Sequence, residues 1–342
     1  MEGLFLSAAS HLGLFNGYAF LRTLSKPQVA ILMYHRVGIH KDFSVVPVVS
    51  PQDFEDQLGC LCREFELMPL DKLAHCIQSK KGLPKRAVVL TFDDGYKDNH
   101  TYAYPILKKY NVPVTIFLAT GHIGTDNPFW WDQVAYVVNQ LTPPILGLDE
   151  LGAYVLRSDG RLKTIPEILE RLKKLENERR ELLIERLMTG VGVQLPTNLG
   201  KQLILSWDNV REMSDGGIAF GAHSVTHPVL TKLTPAQAEY QILQSKKDIE
   251  EKVNRAVTAF CYPFGRSGDF DGDIKRIVRK SGVTCAVTAM PGMIAPAMDV
   301  YDLPRIDASC DSNRFKACLS GLCPDLISVL RSLLPFKFPI CL

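Results

Sequence analysis

Short apolar runs rich in β-branched residues alternate with amphipathic stretches along most of the chain. Val29 to Tyr34, Ala87 to Leu90, Val114 to Leu118, Ile218 to Ala222, Thr258 to Tyr262, Thr284 to Thr288 and Tyr301 to Ile306 each read as a buried strand. Helical signals lie between them. Ser50-Pro51 supplies an N-cap and a first-position proline, with Phe54, Leu58, Leu61 and Phe65 on one face. A helix containing Pro105 runs to Tyr110, and another opens at Phe129-Trp130-Trp131-Asp132. Trp207 to Ser214 is stopped by Gly216-Gly217, Thr234-Pro235 caps a long helix to about Val253, and Gly272 to Ser281 closes at Gly282. Seven strands alternating with helices predict an α/β fold on a parallel sheet, either open or closed into a barrel. In a barrel of this kind the chemistry sits at the C-terminal ends of the strands.

Three segments depart from that rhythm. Residues 142–205 are rich in Leu, Glu, Arg and Lys and predict a helical insertion, long for a connection and suited to a lid or partner surface. In residues 1–26, Leu4, Ala8, Leu12, Phe15 and Ala19 share one helical face with serine and glycine opposite. That segment lacks the basic start of a signal peptide and is too interrupted to span a bilayer. It predicts an amphipathic helix lying on a membrane or on the protein itself. Residues 321–342 form an apolar tail that could join it in one hydrophobic patch.

The 342 residues are 46% hydrophobic and 22% charged, ordinary for a globular protein. A net charge of +2 gives no electrostatic support to nucleic-acid binding. The nine cysteines are odd in number, scattered, and include no C-x-x-C, which points to free thiols in a reducing compartment. The expected location is therefore cytoplasmic, with peripheral contact at the inner membrane face through the termini.

The second strand ends in Thr91-Phe92-Asp93-Asp94-Gly95. Two adjacent carboxylates are costly to bury unless a cation compensates them. The fourth strand ends in His223-Ser224-Val225-Thr226-His227, whose histidines at i and i+4 face one point if the segment turns helically. In a parallel sheet these strand ends share one face. Two imidazoles and one carboxylate make a site for a catalytic divalent ion, leaving the other carboxylate free to act as a base.

Together, Thr-Phe-Asp-Asp-Gly and His-Ser-x-x-His resemble the first two motifs of the polysaccharide deacetylases, the NodB-homology or carbohydrate esterase 4 family. The resemblance implies a deformed (β/α)7 barrel over residues 27–320, a Zn-type ion, and hydrolysis of N-acetyl groups on an N-acetylated glycan. It further implies Asp93 as general base and Asp94, His223 and His227 as metal ligands. Tyr262-Pro263-Phe264-Gly265 occupies the third motif, which makes the Phe264 amide the oxyanion donor and puts Tyr262 and Pro263 beside the substrate. That motif usually begins with arginine, but Cys261 stands there; Arg305, in Leu303-Pro304-Arg305-Ile306, is the candidate to orient the base instead. No histidine follows His227. Met33-Tyr34-His35-Arg36-Val37 resembles the N-terminal motif of the poly-N-acetylglucosamine deacetylase branch, where the motif order is permuted around the barrel, and this makes His35 the acid. Trp130 and Trp131 are candidates, on an exposed loop, for stacking on sugar rings. Competing expectations are an O-deacetylase, an amidase acting on a non-polysaccharide substrate, or a non-catalytic membrane-associated glycan-binding protein.

Overall fold

A computed structural model describes residues 27–39, 44–80, 82–140, 145–148, 152–155, 161–309 and 312–320. The expected N-terminal amphipathic segment and C-terminal tail lie outside the described residues. No helix among the described residues is long and apolar enough to cross a membrane.

Seven parallel strands close into a barrel in chain order. They are β1 Gln28–Tyr34, β2 Arg86–Phe92, β3 Val114–Leu118, β4 Ala219–Ala222, β5 Ala259–Cys261, β6 Cys285–Pro291 and β7 Leu303–Asp307. β1 and β2 pair without a break from Gln28 and Arg86 to Tyr34 and Phe92. Closure comes from β7, where Ile306 pairs with Leu32 of β1. The seam between β6 and β7 shifts register between Val287 and Pro291, which deforms the barrel.

The two-residue period of a strand sorts side chains to the two faces. Ala87 and Val89 of β2, Phe117 of β3, Ala259 and Cys261 of β5 and Leu303 of β7 belong to one buried cluster. Val88, Leu90 and Phe92 belong to the other, with Phe54, Leu58 and Leu61 of α1 (Pro51–Glu64). Burial on both faces explains the near-continuous apolar strands. Gly221 of β4 makes room for Phe117, since a Cβ there would lie 2.4 Å from the ring. Continuing the first parity upward from Ala87 and Val89 reaches Thr91 and Asp93, so an apolar barrel floor gives way to a charged mouth.

The remaining helices are α2 Leu70–Gln78, α3 Tyr104–Tyr110, α4 Trp130–Gln140, α5 Arg161–Lys173, α6 Asn177–Val191, α7 Leu199–Leu203, α8 Trp207–Asp215, α9 Pro235–Val253, α10 Gly272–Lys280 and α11 Ser312–Ser320. The insertion is not wholly helical. Ile145–Leu148 and Gly152–Val155 form an antiparallel ribbon ahead of α5 and α6. The Leu- and Glu-rich composition of the longer helical part masks these two short strands in the sequence.

Candidate functional site

Asp93 and Asp94 leave the end of β2 in different directions. The Asp93 amide donates to the Tyr34 carbonyl at 2.9 Å, prolonging the β1–β2 ladder by one residue. Asp94 then takes a left-handed conformation at φ 74°, and Gly95 follows at φ 82°. A Cβ on Gly95 would meet Leu118 at 2.7 Å and Ile123 at 3.0 Å, so glycine is required there for both space and backbone.

Asp93 is gripped by Arg305 in a two-pronged ion pair. Nη1 donates to Oδ1 at 2.7 Å and Nη2 to Oδ2 at 2.5 Å. The rest of the guanidinium is also held: Nε donates to the Thr288 carbonyl at 2.8 Å, and Nη1 to Thr91 Oγ1 at 3.0 Å. Both partners are buried, at 3% and 2% exposure. Burial pushes the Asp93 carboxyl up, but Arg305 overrides this and holds it well below the usual carboxylate range. Cys261 completes the cluster, with its thiol 3.5 Å from Asp93 Oδ2 and its sulfur accepting from Arg305 Nη2 at 3.2 Å. Burial pushes this thiol up, so it stays protonated.

Asp94 belongs to a second cluster. His223 Nε2 and His227 Nε2 each lie 3.5 Å from Asp94 Oδ1 and 3.1 Å from one another. His223 Nδ1 lies 2.8 Å from the Cys261 carbonyl, which accepts its hydrogen bond and leaves Nε2 to face the cluster. Burial, reinforced by the neighbouring His223, holds His227 well below the usual histidine value and so neutral. The i, i+4 spacing predicts a helical turn, but the segment is a loop. Ser224 and His227 sit at φ 63° and 55°, with the His227 amide bonded to Ser224 Oγ at 3.0 Å. Gln241 of α9 braces this loop, its Oε1 accepting from the Val225 and Thr226 amides at 2.9 Å each.

The ligand atoms of Asp94, His223 and His227 all lie within 4.8 Å of one another. A carboxylate oxygen and two imidazole nitrogens, that of His223 turned inward by its Nδ1 hydrogen bond, suit a divalent ion of the zinc type. Asp93, His223 and Cys261 are as close together. That set is the poorer fit, because Arg305 occupies both Asp93 oxygens and the thiol holds its proton.

The walls correct several expectations. Trp131 is 6% exposed and stacks on Phe129. Its ring makes a T-shaped contact with His227, centroids 4.8 Å apart, and its Nε1 donates to the Tyr96 hydroxyl at 2.8 Å. It backs a candidate ligand and offers no free face to a sugar. Trp130 is half-buried beneath the Arg180 guanidinium, 4.9 Å from its ring. Opening an amphipathic helix, the pair packs inward as core aromatics do. Tyr262 is likewise withdrawn: it stacks on Phe270 at 4.3 Å and its hydroxyl donates to the Tyr301 carbonyl. Pro263 is buried beside it.

Phe264 sits at φ 58°, and its ring meets His227 at 4.7 Å. Among the described residues its amide donates to no backbone acceptor. Lys173 of the insertion reaches over this ring at 4.3 Å and pairs with buried Asp269 of the same loop. His35, at the end of β1, lies near enough to Asp93 to favour its ionised form, and its own buried Nδ1 has no partner among the described residues. Beneath the walls, Tyr96 donates to the fully buried Asp132 at 3.0 Å. Burial lifts the Asp132 carboxyl to about 7 against the opposing pull of Arg36. Gln241 and Lys173 are invisible to motif reading, because nothing near them in sequence marks them. His122 is buried with Nδ1 at 3.0 Å from the Asn127 carbonyl, a structural role, and His100 pairs with Glu212 at the surface.

A closed parallel barrel with two carboxylates, two histidines and a buried arginine at its C-terminal mouth defines an α/β-barrel protein with the makings of a hydrolytic centre. The chain belongs to the polysaccharide deacetylase family, whose model matches residues 80–286. It is 24% identical over 293 residues to YxkH of Bacillus subtilis (strain 168), a protein named for that family, covering 85% of this chain and 75% of that one. A shorter stretch of 81 residues is 41% identical to the poly-beta-1,6-N-acetyl-D-glucosamine N-deacetylase of Staphylococcus aureus (strain MSSA476), spanning 23% of this chain and 27% of that protein. Among solved structures, IcaB from Ammonifex degensii matches 86% of this chain and 97% of its own with a TM-score of 0.56 at 17% identity. Streptococcus pyogenes deacetylase PplD, solved with acetate, matches 83% of this chain and 93% of its own with a TM-score of 0.55 at 20% identity. At these identities the structural likeness speaks for the fold.

Proposed function

We propose that the chain is a divalent-metal-dependent N-deacetylase of a glycan bearing N-acetylated amino sugars. The observation that carries this is the division of labour between adjacent carboxylates: Asp94 faces two histidines, while Asp93 is held ionised by Arg305. Family membership and the Staphylococcus aureus relative's printed activity support the substrate class.

Asp94, His223 and His227 would hold the ion, most readily Zn2+, which polarises an acetamide carbonyl and acidifies a water when bound. Asp93 takes the proton of the attacking water. Its low proton affinity makes it a weak base, but Arg305 fixes both oxygens in place and keeps them charged. The Phe264 N–H stabilises the developing oxyanion from a backbone position. His35, on the strand next to Asp93, delivers a proton to the leaving amine. Trp131 and Phe264 keep His227 dry, which strengthens each polar interaction at the centre.

The test is acetate release from N-acetylglucosamine oligomers and from O-acetylated glycans, before and after chelation and Zn2+ restoration. Metal-dependent release from the N-acetylated substrate alone is expected; release only from O-acetyl esters would replace the proposal with an esterase. Placement at the inner membrane face is proposed on the free thiols of the described cysteines and the apolar termini. Membrane fractionation with and without residues 1–26 checks it.

A further inference from the structure

A cavity of about 380 Å³ opens between the first turns of α6 and α9. Asn177, Arg180 and Glu181 line one side, and Gln237, Tyr240 and Gln241 the other. Its volume lies near the lower end of the ~300–1,000 Å³ range of small-molecule sites. Both helices present their N-terminal ends, where free N–H groups and the helix dipole favour negative charge. A capping box closes the start of α9, whereas Glu176 at the start of α6 makes no capping hydrogen bond.

Arg180 supplies the second, independent observation. It is 3% exposed, yet among the described residues its Nε and Nη1 have no hydrogen-bond partner. Trp130, over which the guanidinium lies, also has no partner for its buried Nε1 among the described residues. Glu181 lines the same cavity and its charge acts on Arg180, but it is exposed and makes no hydrogen bond to Nε or Nη1. Burial opposes the Arg180 charge and Glu181 favours it only from a distance, so the guanidinium lacks the hydrogen-bonded anion that a buried charge requires. Lys232, outside the lining but close enough to interact with Arg180, adds positive charge, its ammonium anchored on the Lys173 and Leu175 carbonyls at 2.8 Å each.

We propose that this cavity binds an oxyanion group, a carboxylate or phosphate on a sugar-sized ligand, with Arg180 as its counter-charge. The site adjoins the candidate ligand loop. Thr226 and Pro228, the neighbours of His227, line it, and so does Gln241, which braces that loop. Two sources share this chemistry: an acidic substituent carried by the glycan, and a free anion bound separately.

Isothermal titration calorimetry of the full chain with glucuronate and with inorganic phosphate tests the proposal without requiring turnover, so it stands or falls apart from the deacetylase proposal. At least one probe should bind the wild type. Arg180→Met should weaken that binding by about tenfold or more, the scale of a lost charge-assisted hydrogen bond. In anion-free buffer the same variant should melt higher than wild type, because an apolar side chain replaces a buried charge that no hydrogen-bonded anion meets. Arg180→Lys should keep part of the affinity, and it serves as the comparison if the methionine variant does not fold. A lower KM for glucuronate-bearing than for neutral N-acetylglucosamine oligomers, lost in Arg180→Met, would place the anion on the substrate. Equal KM values with retained binding of the free probe would make it a separate ligand. Failure of both probes to bind wild type, or equal binding by wild type and Arg180→Met, overturns the proposal.

Discussion

Arg305→Met removes the guanidinium that grips Asp93 and leaves that carboxylate buried at 3% exposure. Two short charge-assisted hydrogen bonds, of 2.7 and 2.5 Å, are lost with it. Removing one partner of a buried ion pair costs about 3–5 kcal/mol, because the remaining charge is left uncompensated. The pH dependence of that cost has a definite sign. In wild type the folded-state proton affinity of Asp93 is depressed, so its stabilisation is complete above the unfolded carboxylate pKa of about 4 and fades as pH falls toward the depressed value. In Arg305→Met the opposing effect of burial is left, which raises the carboxyl. The variant should therefore lose stability as pH climbs from about 4 toward neutrality. Urea unfolding at acidic and neutral pH should show the gap to wild type widening as pH rises.

A double-mutant cycle with Asp93→Asn sharpens the test. Each single variant strands one buried partner, while the double variant strands no charge. The coupling should be about 2–3 kcal/mol, at the upper end of contacting pairs. Single losses that add to within about 0.5 kcal/mol, or a gap that does not move with pH, would refute the idea that Arg305 compensates Asp93.

Other outcomes follow from the same geometry. Asp93→Asn should abolish acetate release while the ion stays bound, whereas His223→Ala or His227→Ala should lose the ion by elemental analysis. Asp132 runs opposite to Asp93: its carboxyl is raised to about 7, so wild type should lose stability as pH rises from about 4 to 7. That loss is at most about 4 kcal/mol, and Asp132→Asn should remove it, which thermal melts across that window would show. Gln241→Ala frees two loop amides and should weaken Zn2+ binding about tenfold, measured by competition with a chelating dye.

The barrel was legible because burial on both faces writes each strand as a short apolar run, and because strands and helices alternate. The centre was legible where its residues are sequence neighbours at strand ends: Asp93 with Asp94, and His223 with His227. Arg305 could be nominated from its place at the end of the last strand, and it does meet Asp93. Other contacts made across the fold were not legible. Gln241 acts from the helix after the histidine loop, and Lys173 reaches the Phe264 ring from the insertion. Trp131 was misread because an aromatic pair at a helix start looks the same in sequence whether it faces solvent or core. The histidines converge through left-handed backbone at Ser224 and His227, which an i, i+4 spacing does not announce.

Asp93 is held without an arginine at position 261 because the guanidinium comes from Arg305. β5 contributes two groups from one residue: a carbonyl that fixes the His223 tautomer and a neutral thiol beside Asp93. Both fit only because the positive charge enters from β7, where Arg305 shares the inward parity of Leu303. A guanidinium at position 261 would press against Arg305 in the same buried space, and a single carboxylate cannot compensate two such charges there. Cys261→Arg alone should therefore unfold the chain or expel Arg305, whereas the exchange Cys261→Arg with Arg305→Ala removes the clash while retaining one cation for Asp93. Thermal melts of the two variants decide it: equal destabilisation would show that room, not charge, governs which strand supplies the arginine.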